Sequence, residues 1–210
     1  MSDGSHATRI ALARGAWLEH DPQWLSRPDA DAALVALREE LDWEQREIVI
    51  FGRRVLQPRL IAWAGELGYR YSGQTLEPRE YTPAARRLLE RVRERVGAPF
   101  NHVLVNRYRS GDDSMGFHAD AEPELGRDPV VATVSLGATR RFVVQPRKKQ
   151  DGERRDLILG HGALVVMGGT CQRHYVHGVP RQAGVGGERI SLTFRLLLRP
   201  PDGPAPAVSG

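Results

Sequence analysis

The sequence predicts an α+β, mainly β fold: an all-β sandwich or jelly roll with a layer of helices. Two amphipathic helix candidates come first in the chain, and a series of short apolar segments follows from about residue 101. No βαβ alternation links these segments, which argues against a parallel sheet. The length of 210 residues suits one domain with its own core.

The two helix candidates are marked by their apolar spacing and by their ends. The first covers about residues 29–41. The second follows Thr82 and Pro83, which supply an N-cap and a proline at the first helical position, and it ends at Gly97. Apolar residues recur at three- and four-residue spacing in both segments: Leu34, Leu37 and Leu41, then Leu88, Leu89, Val92 and Val96. We expect both helices to brace a sheet.

The strand candidates are short apolar runs between glycine, proline and charged turns. They cover residues 102–108, 130–136, 141–145, 156–159, 163–167 and 189–198. Upstream of them, residues 47–76 are rich in aromatic residues and arginine and predict hairpins or loops. The composition of residues 1–8 and 200–210 predicts a disordered N-terminus and a disordered tail around a single domain at 9–199.

Composition and charge narrow the class of protein. The 30 basic and 26 acidic residues give a formal charge of +4, which fits a solvated arginine-rich surface as well as a nucleic-acid partner. We find no long apolar run and no basic segment leading into one, so we expect neither a membrane span nor a secretory signal. Cys171 is the single cysteine, which rules out an internal disulfide and fits a cytoplasmic location. We also expect a monomer.

A metal site is indicated by His118 and Asp120. In an extended segment, residues i and i+2 point to the same face, so this imidazole and this carboxylate can grip one ion. A third ligand is needed, and His177 is a candidate, although His174 lies only three residues before it. Two histidines and one carboxylate on one side of a metal form the facial triad of non-haem Fe(II) oxygenases.

Two further segments carry polar residues at strand spacing. By period two, one face of the last strand candidate carries Arg189, Ser191, Thr193 and Arg195. Two arginines on an internal face require anionic partners, which a dicarboxylate such as 2-oxoglutarate would supply. A solvent-facing strand with two surface arginines is the alternative. Asn106 and Tyr108 share another strand face and offer an amide and a hydroxyl to a carboxylate.

Taken in order, these segments resemble the AlkB family of nucleic acid dealkylating dioxygenases. The motifs run Asn106-X-Tyr108, His118-X-Asp120-X-Glu122, Val134-Ser135-Leu136-Gly137, His177-Gly-Val-Pro, and Arg189 through Arg195. Upstream, the resemblance continues in Ile50-Phe51-Gly52, Pro58-Arg59 and Gly68-Tyr69-Arg70-Tyr71-Ser72-Gly73. It covers about residues 45–198, and it looks closer to the DNA repair homologues of the eukaryotic type than to distant RNA-acting members.

The resemblance implies a double-stranded β-helix, or jelly-roll, core at about residues 101–198 with N-terminal bracing helices and a nucleotide-recognition lid at about 45–77. It implies Fe(II) bound by His118, Asp120 and His177, the last preferred because a small-hydrophobic-proline segment follows it. It also implies 2-oxoglutarate and O2 as co-substrates. The co-substrate residues would be Arg189 at the distal carboxylate, Arg195 at the carboxylate nearer the iron, and Asn106, Tyr108 and Ser191. Many members carry asparagine where Ser191 stands.

The lid acquires a substrate-binding role from the same resemblance. An alkylated base must leave the duplex to reach a buried metal, which costs a few kcal/mol. Stacking of the base between Tyr71 or Tyr69 and His118 would recover part of that cost. We expect Phe51 to wedge into the gap and Glu122 to contact the exocyclic amine of the base. Two further lid residues are named as substrate-binding: Arg59 and Trp63.

The activity implied is oxidative demethylation of 1-methyladenine- or 3-methylcytosine-type bases in DNA, a direct-reversal repair that releases formaldehyde, succinate and CO2. One alternative is an Fe(II)/2-oxoglutarate oxygenase that acts on RNA or protein. Another is a non-catalytic nucleic-acid-binding module. A second basic segment is equally consistent with a phosphate-contacting patch and with a solvated hairpin: Arg140, Arg141, Arg147, Lys148 and Lys149.

Overall fold

A computed structural model describes residues 7–50, 52–71 and 73–199 of the chain. Helices α1 (Arg27–Glu40), α2 (Pro83–Val96) and α3 (Cys171–His174) lie in this part. None of its helices combines the length and the apolar character that crossing a membrane requires. The expected disordered tail, 200–210, lies outside the described residues, as does most of the expected disordered start. Thr8, the last residue of that start, begins the first strand.

Fifteen strands are described, and they are numbered here in chain order. The N-terminal strands are β1 (Thr8–Ala11), β2 (Ala16–Asp21), β3 (Glu47–Ile50), β4 (Arg53–Leu56), β5 (Leu60–Gly65), β6 (Tyr69–Tyr71) and β7 (Gln74–Leu76). The later strands are β8 (His102–Tyr108), β9 (Met115–His118), β10 (Val131–Gly137), β11 (Arg140–Pro146), β12 (Arg155–Leu159), β13 (Ala163–Gly169), β14 (Tyr175–Val179) and β15 (Arg189–Arg195). The later set contains every strand predicted from the sequence, and it adds β9 and β14.

Two antiparallel sheets form the body of the protein. The larger sheet has the strand order β1-β2-β13-β10-β15-β8-β5, and the smaller one has the order β12-β11-β14-β9. Apolar side chains from both sheets meet in one buried cluster, for example Val131 and Met167 against Phe142 and Val144. Two facing antiparallel sheets of this kind make the predicted jelly-roll core.

The predicted helices cover the other face of the larger sheet. A second buried cluster joins Leu37 of α1 and Leu89 of α2 to Val105, Val134 and other sheet residues. Each helix begins at a side-chain cap: the Ser26 hydroxyl accepts from the backbone N–H of Asp29, and the Thr82 hydroxyl accepts from that of Ala85.

Glycine at 97 ends α2 because the backbone there is left-handed, with φ of 70°. The helix predictions are therefore confirmed, with α1 shifted by two residues at its start.

The region predicted as hairpins or loops contains two hairpins and one core strand. β3 pairs with β4 and β6 with β7, each as a separate two-stranded sheet. Between them, β5 joins the larger sheet beside β8. Ala62 and Ala64 face the helical layer, whereas Ile61 and Trp63 belong to a third buried cluster with Tyr69. A strand that is covered on both faces does not alternate polar with apolar residues. The two-residue period that marks a strand was therefore absent from this part of the sequence, and β5 was not predicted.

Candidate active site

His118, Asp120 and His177 come together at one point of the smaller sheet. His118 ends β9 and pairs directly with His177 of β14, so their rings lie on one face with centroids 4.4 Å apart. Asp120 follows two residues later, and its Oδ2 lies 3.6 Å from the His177 Nε2. One ligand atom from each of the three residues lies within 4.8 Å of the others. His174 lies in α3 outside this group, which resolves the choice of the distal histidine.

The free atoms of this triad point to a metal. His118 Nε2 and Asp120 Oδ2 are buried, and neither has a hydrogen-bond partner among the residues that the structure describes. The His118 Nδ1 lies 3.0 Å from the Gly116 carbonyl oxygen, which can only accept, so Nδ1 carries the proton and Nε2 keeps its lone pair. A cation between these atoms would satisfy all of them, so the residues present fit an Fe(II) ion.

Burial and charge set the protonation states that metal binding requires. Burial lowers the pKa of His118, and burial together with the neighbouring His118 lowers the pKa of His177 to about 3. Burial opposes ionisation of Asp120, but Arg195 and the two imidazoles outweigh it, and the pKa of this carboxyl falls below its ordinary value. At neutral pH the site therefore offers two neutral imidazoles and one carboxylate.

Asp120 is held in place by two buried neighbours. Arg195 donates from Nε and Nη2 to Asp120 Oδ1, at 2.9 and 2.5 Å, which leaves Oδ2 available to a metal. The backbone N–H of Asp120 donates to the Gln172 Oε1 at 3.0 Å. Gln172, the second residue of α3, was not predicted, because its sequence context carries no signal that links it to Asp120.

Next to the triad, a narrow cavity of about 20 Å³ lies between the two sheets. Its wall includes the predicted co-substrate residues: Asn106, Tyr108, Arg189, Ser191 and Arg195. They are adjacent because β8 and β15 pair in register, with Tyr108 opposite Arg189 and Asn106 opposite Ser191. The sequence had not marked Met115, Thr133, Phe142 and Val179, which complete much of the lining.

Arg189 is the clearest anion-binding group in this cavity. It is 1% exposed, as is Arg195, so the solvent-facing alternative for the last strand is wrong. Its Nε donates to the Ser135 hydroxyl at 2.8 Å, while Nη1 is buried and has no hydrogen-bond partner among the described residues. None of the carboxylates in the described part of the chain pairs with it, and burial lowers its pKa. A buried cation of this kind requires an anion, and the carboxylate of 2-oxoglutarate fits.

The predicted lid residues are placed differently from what was expected. Trp63 is 4% exposed, and its Nε1 donates to the Glu77 carbonyl oxygen at 2.7 Å. Tyr69 is fully buried and tilted against the His102 ring. Both aromatics pack a buried cluster in this structure, and their roles in substrate binding stay predictions.

Arg59 also proves to be an internal residue. It is 5% exposed, and its Nε donates to the Asn106 Oδ1 at 2.7 Å while Nη1 donates to the Ser114 carbonyl oxygen. The guanidinium thus holds a residue of the predicted co-substrate site, and its contact with substrate stays a prediction.

Glu122 remains near the site. It is half-buried, and burial followed by the nearby Asp120 carboxylate raises its pKa. Phe51 lies outside the described residues, and so does the side chain of Tyr71.

Comparisons with known proteins agree with this geometry. Residues 18–195 match the model of the 2OG-Fe(II) oxygenase superfamily. The chain is 38% identical over 190 residues to the human (Homo sapiens) alpha-ketoglutarate-dependent dioxygenase alkB homolog 3, covering 87% of this chain and 66% of the relative. It is 34% identical over 183 residues to the mouse (Mus musculus) DNA oxidative demethylase ALKBH2, covering 82% of this chain and 77% of the relative. The solved structure of OsALKBH1 superposes with a TM-score of 0.56 at 18% identity, over 90% of this chain and 99% of that one, which supports the fold.

The fold, the triad and the superfamily match define the class, and the chain belongs to the 2OG-Fe(II) oxygenase superfamily and, within it, to the AlkB family. Membership implies Fe(II) as cofactor and 2-oxoglutarate and O2 as co-substrates. The chain spans about two thirds (66%) of the length of the alkB homolog 3 relatives that it matches.

Proposed function

We propose that this protein removes alkyl groups oxidatively from N-alkylated bases in DNA. One observation carries the chemistry: a largely buried triad with open ligand atoms lies beside a buried arginine that, within the described part of the chain, has no carboxylate partner. The choice of DNA is supported by the relatives, one of which is named a DNA oxidative demethylase. The products would be the restored base, formaldehyde, succinate and CO2.

In this proposal, His118, Asp120 and His177 hold Fe(II), which when bound supplies the oxidation of the alkyl carbon coupled to decarboxylation of 2-oxoglutarate. The protein groups fix the ligand directions before the metal arrives. Arg195 occupies one oxygen of Asp120, and the Gly116 carbonyl orients the His118 ring. Ligands held by such outer contacts lose little freedom on binding, which raises metal affinity.

The 2-oxoglutarate site would be built from two charged ends and a polar wall. Arg189 binds the distal carboxylate, because its buried Nη1 has no protein partner. Arg195 keeps its Nη1 for the carboxylate nearer the metal. Arg59 donates a hydrogen bond to the Asn106 Oδ1. The amide oxygen of Asn106 is therefore occupied, and its N–H groups remain to donate into the cavity.

A cationic alkylated base is the proposed substrate. Asp120 is ionised, and Glu122 lies close enough to it for the two carboxyls to influence each other. Arg195 and a bound metal would neutralise Asp120, so Glu122, when ionised, is the group whose charge would favour 1-methyladenine- and 3-methylcytosine-type lesions over neutral bases. Tyr71 stacking and a Phe51 wedge remain predictions for the same step, as does the contact of Glu122 with the exocyclic amine.

The test is a demethylation assay on the purified full chain. Protein loaded anaerobically with Fe(II) receives O2, 2-oxoglutarate and a 1-methyladenine oligonucleotide, single- or double-stranded, and mass spectrometry follows the methyl group. We expect methyl loss that requires every component and disappears in His118→Ala but persists in His174→Ala, the matched control outside the triad. Succinate without demethylation would keep the oxygenase and refute the substrate. Bound iron without either product would support the non-catalytic module.

A monomer in the cytoplasm completes the proposal. The single cysteine, which is buried and free, is consistent with a reducing compartment. Light scattering of the purified chain and cell fractionation would test the two statements separately.

A further inference from the structure

Arg140 is a buried charged residue of the described chain that belongs neither to the binding cavity nor to the triad, and the mechanism does not use it. It lies at the start of β11 and is 1% exposed. Its guanidinium donates only to backbone oxygens: Nη1 to Ser110 at 2.9 Å, and Nη2 to Asp113 and Pro180, each at 2.8 Å, with Gly111 at 3.5 Å. In the described residues no carboxylate lies within ion-pair distance of it. The guanidinium also lies over the Tyr108 ring, with Cζ 5.5 Å from the ring centroid. A buried cation whose hydrogen bonds go to carbonyl groups fixes backbone positions.

The carbonyl groups belong to two separate segments, and each leads to a metal ligand. Residues 110–113 enter β9, which ends at His118. Pro180 directly follows β14, which carries His177. One planar guanidinium thus connects the segment before His118 with the segment after His177. The fork of N–H donors holds both directions at once, as a single-point donor cannot.

Such a tie is needed because β9 is weakly held by the sheet. It is the edge strand of the smaller sheet and pairs only with β14. The register of that pair shifts between His177 and Val179, so the ladder is interrupted beside the triad. His118 ends β9, so its pair with His177 is the last one of this ladder and has the register shift as its neighbour. Contacts from outside the ladder can therefore add to what fixes the separation of the two imidazoles.

We infer that Arg140 is a positioning residue for the metal centre, which sets the separation of His118 and His177 through the backbone. The inference rests on the proposed metal site and is independent of the nucleic-acid substrate. It gives a role to one of the basic residues whose function the sequence left open. Its neighbour Arg141 instead lies at the surface beside Asp156.

The test measures the affinity of the protein for Co(II) and the absorption spectrum of the bound ion, without 2-oxoglutarate or DNA. Co(II) is a redox-stable substitute for Fe(II), and its spectrum reports ligand geometry. We compare wild type with Arg140→Met and with Arg140→Lys, which keeps the charge and part of the donor set and is the safer variant for folding. The matched control is Arg93→Met, because Arg93 also donates to a backbone oxygen, that of Phe100, but in the helical layer. Thermal unfolding of each variant records the loss of stability.

We expect Arg140→Met to bind Co(II) at least about tenfold more weakly, with an altered spectrum. Arg140→Lys should fall between it and wild type, and Arg93→Met should match wild type. Co(II) affinity and spectra of both Arg140 variants equal to wild type would overturn the inference, as would an equal loss in Arg93→Met. Wild-type protein that binds no Co(II) would refute the metal site itself, which distinguishes that failure from failure of the inference.

Discussion

Arg189 and Arg195 lie on the same strand and the same face, yet their replacement by methionine should affect stability in opposite ways. Arg195 neutralises the buried Asp120 through two hydrogen bonds. Arg189 donates a hydrogen bond to the Ser135 hydroxyl and pairs with no carboxylate among the described residues. In the ligand-free protein, one arginine therefore completes a charge pair and the other is a charge awaiting its partner.

The magnitudes follow from what each substitution leaves behind. Arg195→Met strands a buried carboxylate, which costs about 3–5 kcal/mol of unfolding free energy. Arg189→Met loses about 1 kcal/mol of hydrogen bonding to Ser135 but removes an unpaired buried cation, so its unfolding free energy should stay within about 1 kcal/mol of wild type or rise. With 2-oxoglutarate at 100 times its Kd, wild type gains about 2.7 kcal/mol, and Arg189→Met at the same concentration gains far less.

Urea unfolding followed by circular dichroism measures these differences with and without 2-oxoglutarate, under nitrogen with Mn(II) in place of Fe(II). Added Mn(II) alone should recover part of the Arg195→Met loss, since the cation neutralises Asp120. A loss of more than about 2 kcal/mol in ligand-free Arg189→Met would show that its charge is already compensated, and the argument for an anion site would fail.

Three further outcomes follow from particular contacts. Burial holds the pKa of His102 at about 3 against 6.5 for an exposed histidine, so the unfolded chain takes up the proton first as pH falls. The contribution of His102 is complete above pH 6.5 and is lost progressively towards pH 3, by about 2 kcal/mol at pH 5. His102→Phe should flatten the stability profile between pH 7 and 5, and an unchanged slope would contradict this. Gly178→Ala places a Cβ 2.9 Å from the Met115 carbonyl oxygen, so we expect β9 to be pushed off β14 and Co(II) affinity to fall at least about tenfold. Gly184→Ala, where nothing lies within 4 Å but the backbone is left-handed, controls for general strain, and an equal loss there would count against the local explanation. Phe51→Ala should reduce demethylation of duplex DNA more than that of single strands, and equal losses would end the wedge hypothesis.

Much of the site could be predicted from the sequence because its residues lie close together along single strands. His118 and Asp120 are two residues apart in extended backbone, and period two alone placed Arg189, Ser191 and Arg195 on one face. These predictions needed only the strand, and the structure brings the residues together as expected.

The supporting contacts were not readable, because they join distant segments. Ser135 meets Arg189 across 54 residues, and Arg59 meets Asn106 across 47. Nothing near Ser135 or Arg59 in the sequence states which strand will lie opposite. The same holds for Tyr69, because an aromatic residue fits a base-stacking surface as well as a core. Its place in a buried cluster is known only from the structure.

The construction of the lid has an evolutionary consequence. The β3–β4 and β6–β7 hairpins are separate small sheets, and single backbone bridges, Glu44 to Ile61 and Gly65 to Arg79, fasten the chain around them to the ends of β5. The oxidising centre lies on other strands entirely. Hairpin tips can therefore drift in length and composition while the metal ligands stay under strict selection, so that new lesions or strand states become accessible through lid exchange. Exchanging residues 47–56 between relatives should change the preferred lesion or strand state without changing the oxidation reaction.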